Sequence, residues 1–280
     1  MGSWPIGVFS SIDEGLGVRW DVLSELKIPT IQLHAPGPEH RNPDAATRLR
    51  RQLDEMNVRC TAVFGGFAGE SYADIPTTAA TVGLVPRSTR QSRTAEMKAI
   101  SDFAQAMGCD VVALHLGFIP DDDSETQSEI VSVTREICDH AADNGQTVHL
   151  ETGQETAEGL LHFLSAVDRN NLKINFDPAN MILYGTGHPI EALRQVGHHV
   201  GSVHCKDAKW SDQPGVTWGT EVPLGEGDVN MRLYLETLNQ IGYAGPLTIE
   251  REIPEDPQRQ REEILAAADL LSSLRDDILG

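Results

Sequence analysis

Thr147-Val148-His149-Leu150-Glu151 is a short apolar run that ends in an acid, and three later segments repeat the design: Leu172-Lys173-Ile174-Asn175-Phe176-Asp177, Ser202-Val203-His204-Cys205 and Leu247-Thr248-Ile249-Glu250. Each is rich in Val, Ile or Leu and bounded by turn-forming residues, the marks of a strand buried in a parallel sheet. Their ligand-type side chains, Glu151, Asp177, His204 and Glu250, follow one another at intervals of 26, 27 and 46 residues. A strand–helix unit takes about 30 residues. The four positions therefore fall on consecutive strands at one axial height.

Working outward, four more runs of the same kind precede them: Ile6–Ser10, Thr30–His34, Cys60–Phe64 and Val111–Leu116. Helical periodicity fills the gaps, over Trp20–Leu26, Ala45–Met56, Thr94–Met107, Ser124–Asn144, Ala157–Val167, Pro189–Val196, Val229–Ile241 and Pro257–Leu274. In Glu125–Ala142, Ile130, Val133, Ile137 and Ala141 recur at three- and four-residue steps, and Asn144-Gly145 stops the helix. Pro189 suits a helix start, where its missing N–H costs nothing. Eight strand-then-helix units predict an α/β chain closed into a (β/α)8 barrel, one domain over residues 1–280, a size such barrels often occupy. An open doubly wound sheet competes, but Gly15-Leu16-Gly17 is only a fragment of the dinucleotide-binding fingerprint. Two connections after strands, Gly65 to Arg93 and Lys206 to Asp228, are long. Loops after strands form the catalytic face of a barrel, and Tyr72, Trp210 and Trp218 are placed to pack over it.

Composition narrows the classes of function. Apolar residues make up 40% of the chain, enough for a sizeable core, while no run nears the roughly 20 apolar residues of a membrane span. The formal charge of −20 opposes binding to nucleic acid or to an anionic membrane. Cys60, Cys109, Cys138 and Cys205 are widely spaced, which suits buried free thiols in a reducing cytoplasm. Met1-Gly2-Ser3-Trp4-Pro5 has neither a basic region nor an apolar run, so no secretory signal is expected. A homo-oligomer is expected on general grounds.

Side chains at the C-terminal ends of adjacent barrel strands converge. Two like charges 4 Å apart cost about 4 kcal/mol at an effective dielectric of 20, so three converging carboxylates call for a cation. Three carboxylates and an imidazole suit Mn²⁺, Mg²⁺ or Co²⁺, and Zn²⁺ also fits. The bland alternative makes each acid a cap or a surface group; Asp177 before Pro178 could simply open a turn.

The runs Leu150-Glu151-Thr152-Gly153-Gln154-Glu155, Asn175-Phe176-Asp177-Pro178-Ala179-Asn180, Val203-His204-Cys205-Lys206-Asp207 and Thr248-Ile249-Glu250-Arg251-Glu252 resemble the xylose-isomerase-like TIM-barrel superfamily. More narrowly, they are similar to its sugar phosphate isomerase/epimerase group, which includes ketose 3-epimerases, hydroxypyruvate isomerases and inosose-processing enzymes. The resemblance implies that Glu151, Asp177, His204 and Glu250 bind one divalent metal, Mn²⁺ first among the candidates. It further implies a metal-stabilised enediolate formed from a small polyhydroxy carbonyl substrate, with Glu151 and Glu250 as the acid/base pair. Proton return to the opposite face gives an epimerase, return to the adjacent carbon an isomerase, and loss of a leaving group a lyase. A carbohydrate-binding barrel without turnover is the remaining alternative.

The chain departs from the group in one place: Asn180 stands where ketose 3-epimerases carry a His three residues after the metal Asp. Asn can hydrogen-bond a hydroxyl but cannot exchange a proton near neutral pH. The superfamily's three-zinc nucleases need further His ligands, and here Phe64-Gly65-Gly66 supplies none and no Asp-x-His follows His204. His34, His115, Asn180 and Lys206 are the candidate substrate contacts, and Asp207 either orients substrate or is structural. No basic loop motif awaits a phosphate, so an unphosphorylated substrate is expected. Glu155 is expected in a helix first turn, Arg251 in a salt bridge behind the site, and Gly225-Glu226-Gly227-Asp228 as a tight turn and helix N-cap. Asp121-Asp122-Asp123 is expected to be a solvated loop. Trp210 and Trp218 either stack on a sugar or pack between loops or subunits.

Overall fold

Eight parallel strands close on themselves in the computed structural model, which describes residues 4–12, 15–120, 124–253 and 255–280. The strands are β1 (Ile6–Ser10), β2 (Thr30–His34), β3 (Arg59–Gly65), β4 (Val111–Leu114), β5 (Thr147–Glu151), β6 (Leu172–Phe176), β7 (Val200–Cys205) and β10 (Leu247–Ile249). The order around the barrel is β1-β10-β7-β6-β5-β4-β3-β2, and a two-stranded hairpin, β8 (Asp207–Lys209) with β9 (Thr220–Val222), stands outside it. The expected (β/α)8 architecture is therefore present as a single domain. The acidic run Asp121-Asp122-Asp123 lies outside the described residues.

The helices are α1 (Trp20–Leu26), α2 (Pro43–Glu55), α3 (Ile75–Thr81), α4 (Arg90–Met107), α5 (Glu125–Asp143), α6 (Ala157–Val167), α7 (Pro178–Tyr184), α8 (Pro189–Val196), α9 (Met231–Gln240) and α10 (Pro257–Leu279). Side-chain caps fix several starts: Ser124 Oγ accepts from Gln127 N at the head of α5, and Asn42 Oδ1 from Ala45 N at the head of α2. Pro189 is the first residue of α8, as its chemistry suggests. The helices α3 and α7 were not anticipated. Among the described residues no helix is long and apolar enough to cross a membrane. All four cysteines are free, three of them buried.

The strands divide their residues by alternation. Val8, Ile31, Leu33, Val63, Val112, Leu114, Val148, Leu150, Ile174, Val203 and Ile249 belong to one apolar cluster with the inner faces of the helices. The alternate residues face the barrel axis and are largely polar: Thr30, Gln32, His149, Asn175, Ser202, His204 and Thr248, all buried. Gly7 closes the floor, because a Cβ there would meet Thr30 Oγ1 at 2.5 Å. The strands thus read as apolar runs only because one of their two faces is so strongly apolar.

Within this interior His149 bonds Ser202 Oγ through Nδ1 (2.7 Å) and Thr147 Oγ1 through Nε2 (3.0 Å). Burial, helped by nearby Lys173, holds the imidazole down to about pKa 3. An unfolded histidine titrates near 6.5, so between the two values the unfolded chain binds a proton that the native chain does not. Stability contributed by neutral His149 is lost as pH falls through that window, at up to about 1.4 kcal/mol per pH unit. Urea unfolding of the metal-free protein between pH 6.5 and 4 is expected to show a shallower pH slope for His149→Gln, by up to one proton. Equal slopes would mean that His149 is charged in the folded state.

Both long connections are built rather than loose. In residues 65–93, α3 is capped by Asp74, and buried Arg93 donates to the carbonyls of Thr81 and Gly83 (2.7 Å each) and Ala68 (3.2 Å). In residues 206–228, the β8–β9 hairpin is closed by Asp207, whose carboxylate accepts from the backbone N–H of Gly225, Gly227, Val229 and Ala208. Asp207 is structural. The turn Gly225–Asp228 closes onto it, but the cap of α9 is Asn230 rather than Asp228, whose carboxylate instead accepts from Trp210 N.

Candidate metal centre at the barrel mouth

Glu151 ends β5, Asp177 follows β6, His204 lies in β7 and Glu250 follows β10, on four strands that are neighbours in the barrel. One donor atom from each lies within 4.8 Å of every other, and all four residues are buried. His204 Nδ1 is 3.0 Å from Glu151 Oε1, 3.1 Å from Glu250 Oε2 and 3.4 Å from Asp177 Oδ2. The convergence expected from spacing is therefore present, with Glu151 and Glu250 outermost in the row of four.

The two oxygens of Asp177 differ. Its Oδ1 caps α7 by accepting from Ala179 N (2.8 Å) and Asn180 N (2.9 Å). Its Oδ2 is buried with no hydrogen-bond partner and points at the group. A buried carboxylate oxygen without a donor is costly, and a cation bound by these four side chains would satisfy it. His204 gives the same answer. Its Nε2 is spoken for by Gln32 Oε1 at 2.6 Å, so Nδ1 faces three carboxylates.

The charges are balanced by the chain itself. Burial pushes the His204 imidazolium down, but Glu250 and Glu151 overcome it and hold the ring charged well above its usual range. Burial raises the Glu151 carboxyl, yet His115 and His204 outweigh it and bring it down to about 2. Glu250 is likewise held well below the carboxylate range, by Lys206 and His204 against burial. Burial dominates at Asp177 and lifts it to about 6. A protonated His204 facing three acids carries positive charge of the kind that a bound cation would supply. The donor set fits one divalent ion.

The candidate substrate contacts divide. His115 Nε2 meets Glu151 Oε2 at 2.9 Å, and Asn180 Nδ2 donates to Glu151 Oε1 at 3.1 Å. Lys206 Nζ is 3.1 Å from Glu250 Oε2 and 3.4 Å from Asn180 Oδ1. These three enclose the acids. His34 closes β2 against Gly66, edge-on to Phe9 at 6.4 Å between ring centroids. Behind Lys206, Arg251 is paired with Glu221 (2.5 Å) and Glu263 (2.6 Å), the salt bridge expected there.

Other expectations change. Glu155 is not in a helix first turn, since Thr156 caps α6; it is half-buried and accepts from Ile119 N at 3.2 Å. Burial pushes its carboxyl up to about 7. Trp218 packs on Tyr184 (4.5 Å) and Trp210 lies edge-on to His188 (5.6 Å), so both join loops to the barrel. Tyr72 reaches over His115 with ring centroids 5.8 Å apart. The residues that the spacing argument missed are Gln32 and Asn175. They lie on the inward faces of β2 and β6, two positions before His34 and Asp177, and alternation alone marks them.

The chain belongs to the xylose isomerase-like TIM barrel family, which it matches over residues 20–274. Among solved structures, a xylose isomerase domain protein from Planctomyces limnophilus is 58% identical with a TM-score of 0.97, covering 99% of each chain. A xylose isomerase-like TIM barrel protein from Mycobacterium smegmatis in complex with magnesium shares the fold at 18% identity and TM-score 0.71, covering 98% of this chain and 99% of that one. An inosose dehydratase of Clostridium botulinum is 30% identical over 42% of this chain and 43% of its own. An L-ribulose 3-epimerase of a Methylomonas species is 26% identical over 71% and 66%. The chain thus spans between about two fifths and two thirds of the length of these curated relatives.

Proposed function

We propose that the protein is a divalent-metal-dependent isomerase or epimerase of a sugar, keto-sugar or inositol-type ketone, with Glu151 and Glu250 as its acid/base pair. The observation that carries this is the placement of two ionised glutamates on either side of Asp177 and His204, with one donor atom from each of the four within 4.8 Å of every other. Glu151, Asp177, His204 and Glu250 would hold the ion, with Mn²⁺ or Mg²⁺ matching the oxygen-rich donors; the Mycobacterium smegmatis relative contains magnesium. When bound, the metal supplies positive charge that acidifies the C–H beside a chelated carbonyl.

The chain's own groups do the rest. Glu151 shares one oxygen with His115 and the other with Asn180, which fixes its plane; Lys206 holds one oxygen of Glu250, Oε2. Each carboxylate is then held to take a proton from, or return one to, its own side of the substrate. His34, His115, Asn180 and Lys206 offer hydrogen bonds to hydroxyls at the rim. Tyr72 narrows the way in over His115.

A second reading keeps the site and makes the outcome elimination of water. The similarity to inosose dehydratase and Asn180 in place of a histidine favour it. Incubation with a panel of ketoses and inosose-type ketones in D₂O separates the two. Deuterium in recovered sugar is the expected result, loss of water supports the lyase, and neither with any candidate ketone leaves the acid/base reading without support.

A further inference from the structure

We propose that Gln32 is a positioning residue that selects Nδ1 of His204 as the metal-facing nitrogen. The inference rests on the metal reading of the four-residue group. A neutral imidazole carries one proton, and whichever nitrogen keeps it cannot ligate. Gln32 Oε1 lies 2.6 Å from His204 Nε2, and an amide oxygen can only accept, so the proton stays on Nε2. The Nδ1 lone pair is then left to face Glu151, Asp177 and Glu250.

The amide of Gln32 is itself oriented. Its Nε2 donates to Asn175 Oδ1 at 3.2 Å, and the same oxygen accepts from Ser202 Oγ at 2.6 Å. Ser202 Oγ in turn meets His149 Nδ1 at 2.7 Å. Asn175 gives its oxygen to two donors while its Nδ2 stays buried without a partner. Its orientation is thus chosen by what its oxygen must receive. Gln32, Asn175, Ser202 and His149 are all buried on the barrel axis, where branched apolar side chains are the usual filling. A polar column there costs desolvation unless it holds something in place, and its upper end is His204.

The test compares Gln32→Met, which keeps the length but removes the acceptor, with Gln32→Glu, which keeps an acceptor. In the latter, Asn175 can turn its idle Nδ2 toward the second carboxylate oxygen. Affinity for Mn²⁺ and Zn²⁺ is measured without substrate by chelator competition, and the histidine rings of the ¹⁵N-labelled Zn²⁺-loaded protein are read by NMR. Gln32→Met is expected to lose about 10–100-fold in metal affinity, together with the downfield His204 Nε2 proton. Gln32→Glu is expected to match or exceed the parent protein in affinity and to keep that proton.

Unchanged affinity in Gln32→Met, or equal losses in both variants, overturns the proposal. Should Gln32→Met not fold, Asn175→Leu frees the Gln32 amide to turn and is expected to weaken metal binding in the same way; unchanged affinity there overturns it as well. A parent protein that binds no divalent ion removes the proposed function along with this inference. A parent that binds while Gln32→Met binds equally removes only the inference.

Discussion

Glu250→Gln and Glu151→Gln are each expected to lower kcat by about 10³-fold or more with the barrel intact, the upper part of the range for a lost general acid or base. Each change removes one charge at nearly constant shape. Neither residue belongs to the apolar cluster between strands and helices on which the fold depends. The losses should not be alike in detail. Glu250→Gln takes away the nearest acid from Lys206, whose next carboxylate, Glu221, is 3.9 Å away. Glu151→Gln leaves His115 facing an amide instead of a carboxylate. With one base on each side of the substrate, as proposed, each single variant should still exchange the proton on the side it retains, without completing the reaction. The double variant should lose that exchange too. Turnover at saturating Mn²⁺ and deuterium uptake from D₂O are the two readouts, with near-ultraviolet circular dichroism as the check on folding. Unchanged turnover in both single variants would rule out two-base chemistry at this site.

The fold and the four central side chains were legible because both rest on spacing. Strands about 30 residues apart must be neighbours in a closed barrel, so residues at matched strand ends must meet. What lay between followed different rules. The helix α7 could not be read from periodicity, since all seven of its residues are buried and it has no polar face to reveal a 3.6-residue repeat. The hairpin β8–β9 pairs only three residues with three, and what holds it closed is Asp207 reaching 18–22 residues ahead. No local pattern announces that. Glu155 shows the same limit: the sequence places it near a helix start, but its partner Ile119 comes from the neighbouring strand's loop. The two-sided character of the strands was partly hidden too. Outward Val, Ile and Leu gave the impression of wholly apolar runs, while Gln32, His149, Asn175 and Ser202 lined the axis.

Removing the metal is expected to abolish turnover and to lower the unfolding midpoint by an amount that grows with pH. Three buried carboxylates repel by about 4 kcal/mol per pair at 4 Å and an effective dielectric of 20. In the metal-free chain that repulsion is met by the His204 imidazolium, Lys206 and His115, so the stripped protein should remain folded. Yet His204 has a raised folded pKa. Its stabilising contribution is complete below about pH 6.5, its unfolded value, and is lost as pH rises through the folded value. The loaded protein is expected to behave in the opposite sense, because a ligating imidazole must be neutral and metal affinity climbs as protons leave. At 100 times the dissociation constant, bound metal adds about 2.7 kcal/mol, worth roughly 5–10 °C in a chain of this size. Midpoints recorded in EDTA and in excess Mn²⁺ at pH 6, 7 and 8 should therefore draw apart. A gap that stays constant with pH would exclude His204 as a ligand. A fully stripped sample with normal turnover would mean that these four side chains meet for structural reasons alone.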